Sequence, residues 1–174
     1  MRKASFAVLF LSIVLLAAAV PAQAQGGTAV ARLRGFEEVP ALSNPGGGFF
    51  SATINADGTE MTYELHYFNI EGNVTQAHLH FGQRSVNGGI MIFLCSNLGN
   101  GPAGTQSCPT DNGTISGTIT AADVISGAAS QGVAPGELFS ALRGIRAGVV
   151  YANVHTTLFP GGEIRGQLLF TPTP

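Results

Sequence analysis

Beyond residue 3 the chain has no lysine, and it has no tryptophan anywhere. Past residue 24, six arginines stand against ten Asp and Glu, a net charge of −4, with no basic run. Phosphate backbones are bound by clustered cations, so nucleic acid is not an expected partner. Without a lysine no phosphate-cradling Gly-rich loop of the Walker type can be built. No G-x-S-x-G elbow occurs. No C-x-x-C spacing occurs either: the only cysteines are Cys95 and Cys108. The two adjacent acids, Glu37 and Glu38, sit at positions that face opposite sides of an extended chain and so form no acid/base pair. No catalytic residue is assigned, and a non-enzymatic role is favoured.

Long apolar runs are also scarce. The single one, over residues 6–20, follows Arg2 and Lys3 and precedes Ala22-Gln23-Ala24, a small-x-small cleavage pattern. It is short for a membrane span and has the layout of a secretory signal peptide. The expectation is a signal peptide at 1–24, cleaved after Ala24. That leaves one domain over 25–174, secreted or periplasmic and not spanning a membrane. A domain of about 150 residues buries roughly 70% of the surface its unfolded chain exposes. In an oxidising compartment Cys95 and Cys108 are expected to form a disulfide. It would staple a segment rich in Gly and Asn.

What is abundant is glycine, 24 residues, set between short alternating segments. Residues 28–35 alternate with Ala29, Ala31 and Leu33 on one side. Residues 49–56 make a second strand that ends at Asp57-Gly58, a hairpin signal. Residues 60–69 alternate with Met61, Tyr63, Leu65 and Tyr67 on one face. Strands are further expected over 74–81, 89–95 and 113–120. Thr120-Ala121-Ala122-Asp123 has the form of a capped helical turn. Leu138, Leu142 and Ile145 have helical spacing. Two last strands flank Pro160-Gly161-Gly162, with Glu163 and Arg165 expected as a surface pair, and 171–174 as a tail. Together these describe an all-β, antiparallel sandwich or barrel with one or two short helices.

In order, several segments resemble the CHRD domain, the module named after chordin. They are Leu33-x-Gly35-x-x-Glu38-Val39-Pro40, Asp57-Gly58, Tyr63-x-Leu65 and Ala77-His78-Leu79-His80. They continue with Gly117-Thr118-Ile119-Thr120-Ala121-Ala122-Asp123, Tyr151-x-Asn153-Val154-His155-Thr156 and Pro160-Gly161-Gly162-Glu163-Ile164-Arg165-Gly166-Gln167-Leu168. The likeness runs over about 29–170. It implies an immunoglobulin-like sandwich or barrel and a bacterial, exported, single-domain member with no settled enzymatic activity. The first expectation is therefore a non-catalytic binding or structural module outside the cytoplasm. Its partner would be an unidentified extracellular or periplasmic macromolecule, or a second copy of itself.

The alternative rests on histidine. Strand parity puts His78 and His80 on one face, opposite Ala77, Leu79 and Phe81. It puts Tyr151, Asn153 and His155 together, opposite Val150, Ala152 and Val154. Both polar faces are expected to point outward. His66 lies off the Tyr63/Leu65/Tyr67 face of a strand expected to pair with the His78 strand. Convergence of His78, His80 and His155, with His66 as a fourth, would make a site for Cu or Zn, because imidazole suits both. The His-x-His strand also resembles the copper strand of Cu/Zn superoxide dismutase. Four histidines cannot build that enzyme's two-metal centre. On the structural reading no cofactor is expected, and the histidines donate to neighbouring carbonyls, hydroxyls or carboxylates, here Thr156, Glu163 or Asn153, and lock the sheet edges.

Overall fold

The computed structural model describes residues 26–173; the expected signal peptide lies outside the described residues. Among the described residues nine strands form one antiparallel sheet: β1 (Gly27–Arg34), β2 (Gly47–Ile54), β3 (Met61–Phe68), β4 (Val74–Phe81), β5 (Gly89–Ser96), β6 (Gly113–Ile119), β7 (Val150–Thr156), β8 (Ile164–Gln167) and β9 (Leu169–Pro172). Their order is β5-β4-β7-β8-β1-β2-β3-β6, with β9 on the β1 edge. The sheet curls into a nearly closed barrel, as the alternating segments predict. The one α-helix among the described residues, α1 (Leu138–Arg146), buries Leu138, Leu142 and Ile145. The turn over Ala121–Asp123 carries the expected Thr120/Asp123 capping box.

Alternation decides what fills the barrel. Ala29, Ala31 and Leu33 of β1, Phe50, Ala52 and Ile54 of β2, and Met61, Leu65 and Tyr67 of β3 are buried, and the residues that alternate with them are exposed, apart from the half-buried Phe68. Ala77 and Leu79 of β4 join the same core. Strand β7 differs: all seven of its residues are buried, so both of its faces are covered.

The open seam of the barrel lies between β5 and β6. The segment after β5 folds across it, held by the Cys95–Cys108 disulfide. Gln106 donates from Nε2 to the carbonyls of Leu94 and Ser116, one on each edge strand, and to the Tyr63 hydroxyl. The disulfide therefore holds in place the side chain that bridges the two sheet edges.

Three expectations are corrected here. Strand β3 pairs with β2 and β6, not with β4. The C-terminal tail is not idle: β9 continues the chain past Leu168 and pairs with β1, from Val30↔Leu169 to Gly27↔Pro172. Glu163 and Arg165 are not a surface pair. Both are buried, and each spends its charge elsewhere. The Glu163 carboxylate accepts from the backbone N–H of Glu71 and Gly72 and from the Thr156 hydroxyl, tying the β3–β4 turn to the final hairpin. The expected reversal at Pro160-Gly161-Gly162 is present, with the Gly162 N–H donating to the Phe159 carbonyl. At Gly162 φ is +132°, and a Cβ would lie 2.6 Å from Nδ2 of Asn153, so no larger residue fits.

Candidate metal site

Strands β4 and β7 are neighbours, with His78 opposite Asn153 and His80 opposite Tyr151. The parity reading is therefore correct: His78, His80, Tyr151, Asn153 and His155 share a face. Its exposure is not as expected. His78, His80 and His155 are all buried. Three covers account for this. The segment between β4 and β5 folds over the face and is pinned by Arg165, whose guanidinium donates to Asn87 Oδ1 and to the carbonyls of Gln83 and Val86. The Pro160 turn closes one end. Glu38, from the turn after β1, accepts from Asn153 Nδ2 at 2.7 Å.

Beneath these covers the three imidazoles meet. Ring centres are 5.4 Å apart for His78 and His80, 5.0 Å for His78 and His155, and 5.8 Å for His80 and His155. One ring nitrogen of each lies within 4.8 Å of one from each of the others. Ligands on one ion, at ~2.0–2.1 Å from it, lie about 3.3–3.6 Å from each other, so a small inward movement completes a three-nitrogen site. His66 is not part of it. It is exposed, five places along the sheet from β4, with Nδ1 2.9 Å from the Thr114 hydroxyl.

The hydrogen bonds set the tautomers. Nδ1 of His80 lies 3.0 Å from the Gly88 carbonyl, and Nδ1 of His155 lies 2.9 Å from the Pro160 carbonyl. A carbonyl only accepts, so each Nδ1 carries the proton and each Nε2 is a bare lone pair. Both Nε2 atoms, and both ring nitrogens of His78, are shut from solvent with no partner. An unsatisfied buried polar atom costs about 1–3 kcal/mol. The structural reading is met in part, by the carbonyl bonds of His80 and His155, but neither nitrogen of His78 and neither Nε2 bonds to Thr156, Glu163, Asn153 or any other group. Metal-ligating histidines characteristically donate their second nitrogen to a carbonyl or carboxylate, which is what His80 and His155 do.

Electrostatics keeps the rings neutral. Burial pushes His78 down to about 2, reinforced by His155 and His80. Burial pushes His80 down to about 4, against the Gly88 hydrogen bond, which raises it. His155 is lowered by burial as well. Neutral imidazole is the ligand form, so at ordinary pH no proton has to leave before an ion binds.

Several contacts of this site escape a reading of sequence alone. Phe93 of β5 packs edge-on against His78 at 4.3 Å between ring centres. The Tyr151 ring stacks on His80, 4.8 Å between centres and 5° from parallel, and the Arg165 guanidinium carbon lies 3.4 Å from the Tyr151 ring centre. Gly88 grips both partners, its N–H donating to the Tyr151 hydroxyl and its carbonyl accepting from His80. Burial raises the Glu38 carboxyl to about 7, against the Asn153 hydrogen bond and Arg165, which lower it.

No curated protein and no solved structure matches the chain. Among the described residues no helix is long and apolar enough to cross a membrane. The family model for the CHRD domain matches residues 29–168, from within the first strand to the end of the final hairpin, and takes in every residue of the histidine cluster. The chain belongs to the CHRD domain family.

Proposed function

We propose that this CHRD domain is a non-catalytic metal-binding module that holds one Cu or Zn ion on His78, His80 and His155, and that it acts outside the cytoplasm. One observation carries the metal reading: three neutral imidazoles converge in a closed pocket with nitrogen lone pairs that no protein group uses. Two of the three are already held by backbone carbonyls in the tautomer a metal needs. The extracellular part is supported by the Cys95–Cys108 disulfide and by the signal-like segment 1–24.

The test uses untagged, processed protein offered Cu or Zn, then passed through a desalting column and assayed for metal. One ion per chain, lost on His78→Ala while far-ultraviolet circular dichroism is unchanged, supports the reading. A chain that retains no metal sinks it and returns the protein to a macromolecule-binding role, which a chelator would leave intact. Mass spectrometry of the exported protein tests the compartment: an N-terminus at Gln25 and two oxidised cysteines are expected, and two free thiols contradict it.

A further inference from the structure

Resting on the reading of this pocket as a metal site, we infer that its ion is monovalent copper, Cu(I), held by three nitrogens and no fourth ligand. Charge is the first ground. The cluster contains no carboxylate and no thiolate, so its three ligands are neutral. Around it stand one cation, Arg165, and two acids, Glu38 and Glu163, whose carboxyls are engaged with other groups. Arg165 stacks on Tyr151, which stacks on His80. Glu38 is buried and turned to Asn153. Glu163 is engaged with Glu71, Gly72 and Thr156. A dication placed here would meet three neutral ligands, with a guanidinium stacked beyond Tyr151 and no carboxylate in contact with the ion, and burying poorly compensated charge is costly. A monocation incurs far less of that cost.

Coordination is the second ground, and it is independent of the first. Zn(II) on three protein ligands takes a fourth, a water or substrate, at an open position. Here the bare nitrogens are shut from solvent. The neighbouring surfaces are aromatic: Phe93 against His78 and Tyr151 against His80. Phe93 has no ligand atom, and the Tyr151 hydroxyl is directed to the Gly88 N–H, while its ring face lies against His80. A closed-shell Cu(I) ion is satisfied by three nitrogens in a plane and needs no such position.

The experiment is an anaerobic titration of untagged, processed protein with Cu(I) against a chromophoric Cu(I) chelator, beside a Zn(II) titration against a zinc chelator. X-ray absorption follows on the copper-loaded sample. One Cu(I) per chain is expected, bound at least about a hundredfold tighter than Zn(II), with three nitrogen scatterers and no fourth ligand. Zn(II) bound as tightly as Cu(I), or a fourth oxygen ligand on copper, overturns the inference and leaves the metal site standing. Binding of neither ion overturns both. These measurements are made on the unaltered chain, so a variant that fails to fold cannot obscure the outcome.

Discussion

The carbonyl of Gly88 lies 3.0 Å from Nδ1 of His80, and the N–H of the same residue donates to the hydroxyl of Tyr151, the ring stacked on that histidine. One peptide thus fixes both the tautomer of a ligand and the position of its neighbour. Only glycine allows it: a Cβ on residue 88 would sit 1.8 Å from the Phe81 carbonyl oxygen. Gly88→Ala must therefore displace the segment that covers the pocket. The expected result is a loss of roughly 2 kcal/mol or more in urea denaturation, in the range of strained and overpacked substitutions. A weaker metal affinity should accompany it. Unchanged stability and affinity would show that the peptide does not hold the ring.

Metal should stabilise the fold by linkage. An ion that binds only the folded chain contributes about 2.7 kcal/mol at a free concentration of 100 times its Kd. In a domain of this size that is a rise in Tm of roughly 5–10 °C. A chelator should reverse the rise, and His155→Ala should abolish it. His66→Ala should keep it in full, because His66 is exposed and far along the sheet. Loss of the effect in the His66 variant would contradict the assignment of ligands.

The metal-free protein should lose stability in acid. The unfolded chain protonates its histidines below about 6.5, while the folded chain holds His80 neutral to about 4 and His78 to about 2. The unfolded state then binds more protons, so stability is full above about pH 6.5 and falls as pH drops through the window below it. Glu38 works in the opposite sense. Its folded value is raised to about 7, so its contribution is present at low pH and is lost between about 4.5 and 7. Three histidines outweigh one acid, and the net profile should rise from pH 4 to 6.5. Glu38→Gln keeps an acceptor for Asn153 and removes the opposing titration. It should make the rise steeper and gain on the order of 2 kcal/mol at pH 8. Urea denaturation across pH 4–8 checks both; identical profiles for the two proteins would contradict the role given to Glu38.

Reduction of Cys95–Cys108 should loosen the barrel seam. The bridge spans 13 residues, worth roughly 3 kcal/mol in the chain-entropy model. It also anchors Gln106 across β5 and β6. The double substitution Cys95→Ser and Cys108→Ser should lower stability by about that amount. It should also speed hydrogen exchange at the backbone amides of the segment 96–107 while leaving metal stoichiometry at one. Loss of the metal in that variant would mean that seam and pocket are coupled.

Much of the site was legible in the sequence because strand parity is a strict rule. His78, His80, Tyr151, Asn153 and His155 were placed on one face from alternation alone, and they share it. Burial of that face was not legible. It depends on segments brought in from a distance: Arg165 reaching Gln83, Val86 and Asn87, and Glu38 reaching Asn153. His66 shows the complementary failure. Its parity was right, but strand order depends on long-range pairing that local pattern does not encode, and β3 lies on the far part of the sheet. The strand β9 was missed for a similar reason. Its four residues carry no buried alternation and pair only because β8 leaves most of the β1 edge free.

The most direct measurement is a crystal structure of the protein grown with metal offered, with anomalous data collected at the copper and zinc edges. A single anomalous peak is expected at about 2.0–2.1 Å from one nitrogen each of His78, His80 and His155, with Nδ1 of His80 and His155 still on the Gly88 and Pro160 carbonyls. A pocket without a peak, or a peak at His66 or on surface carboxylates alone, would contradict the account.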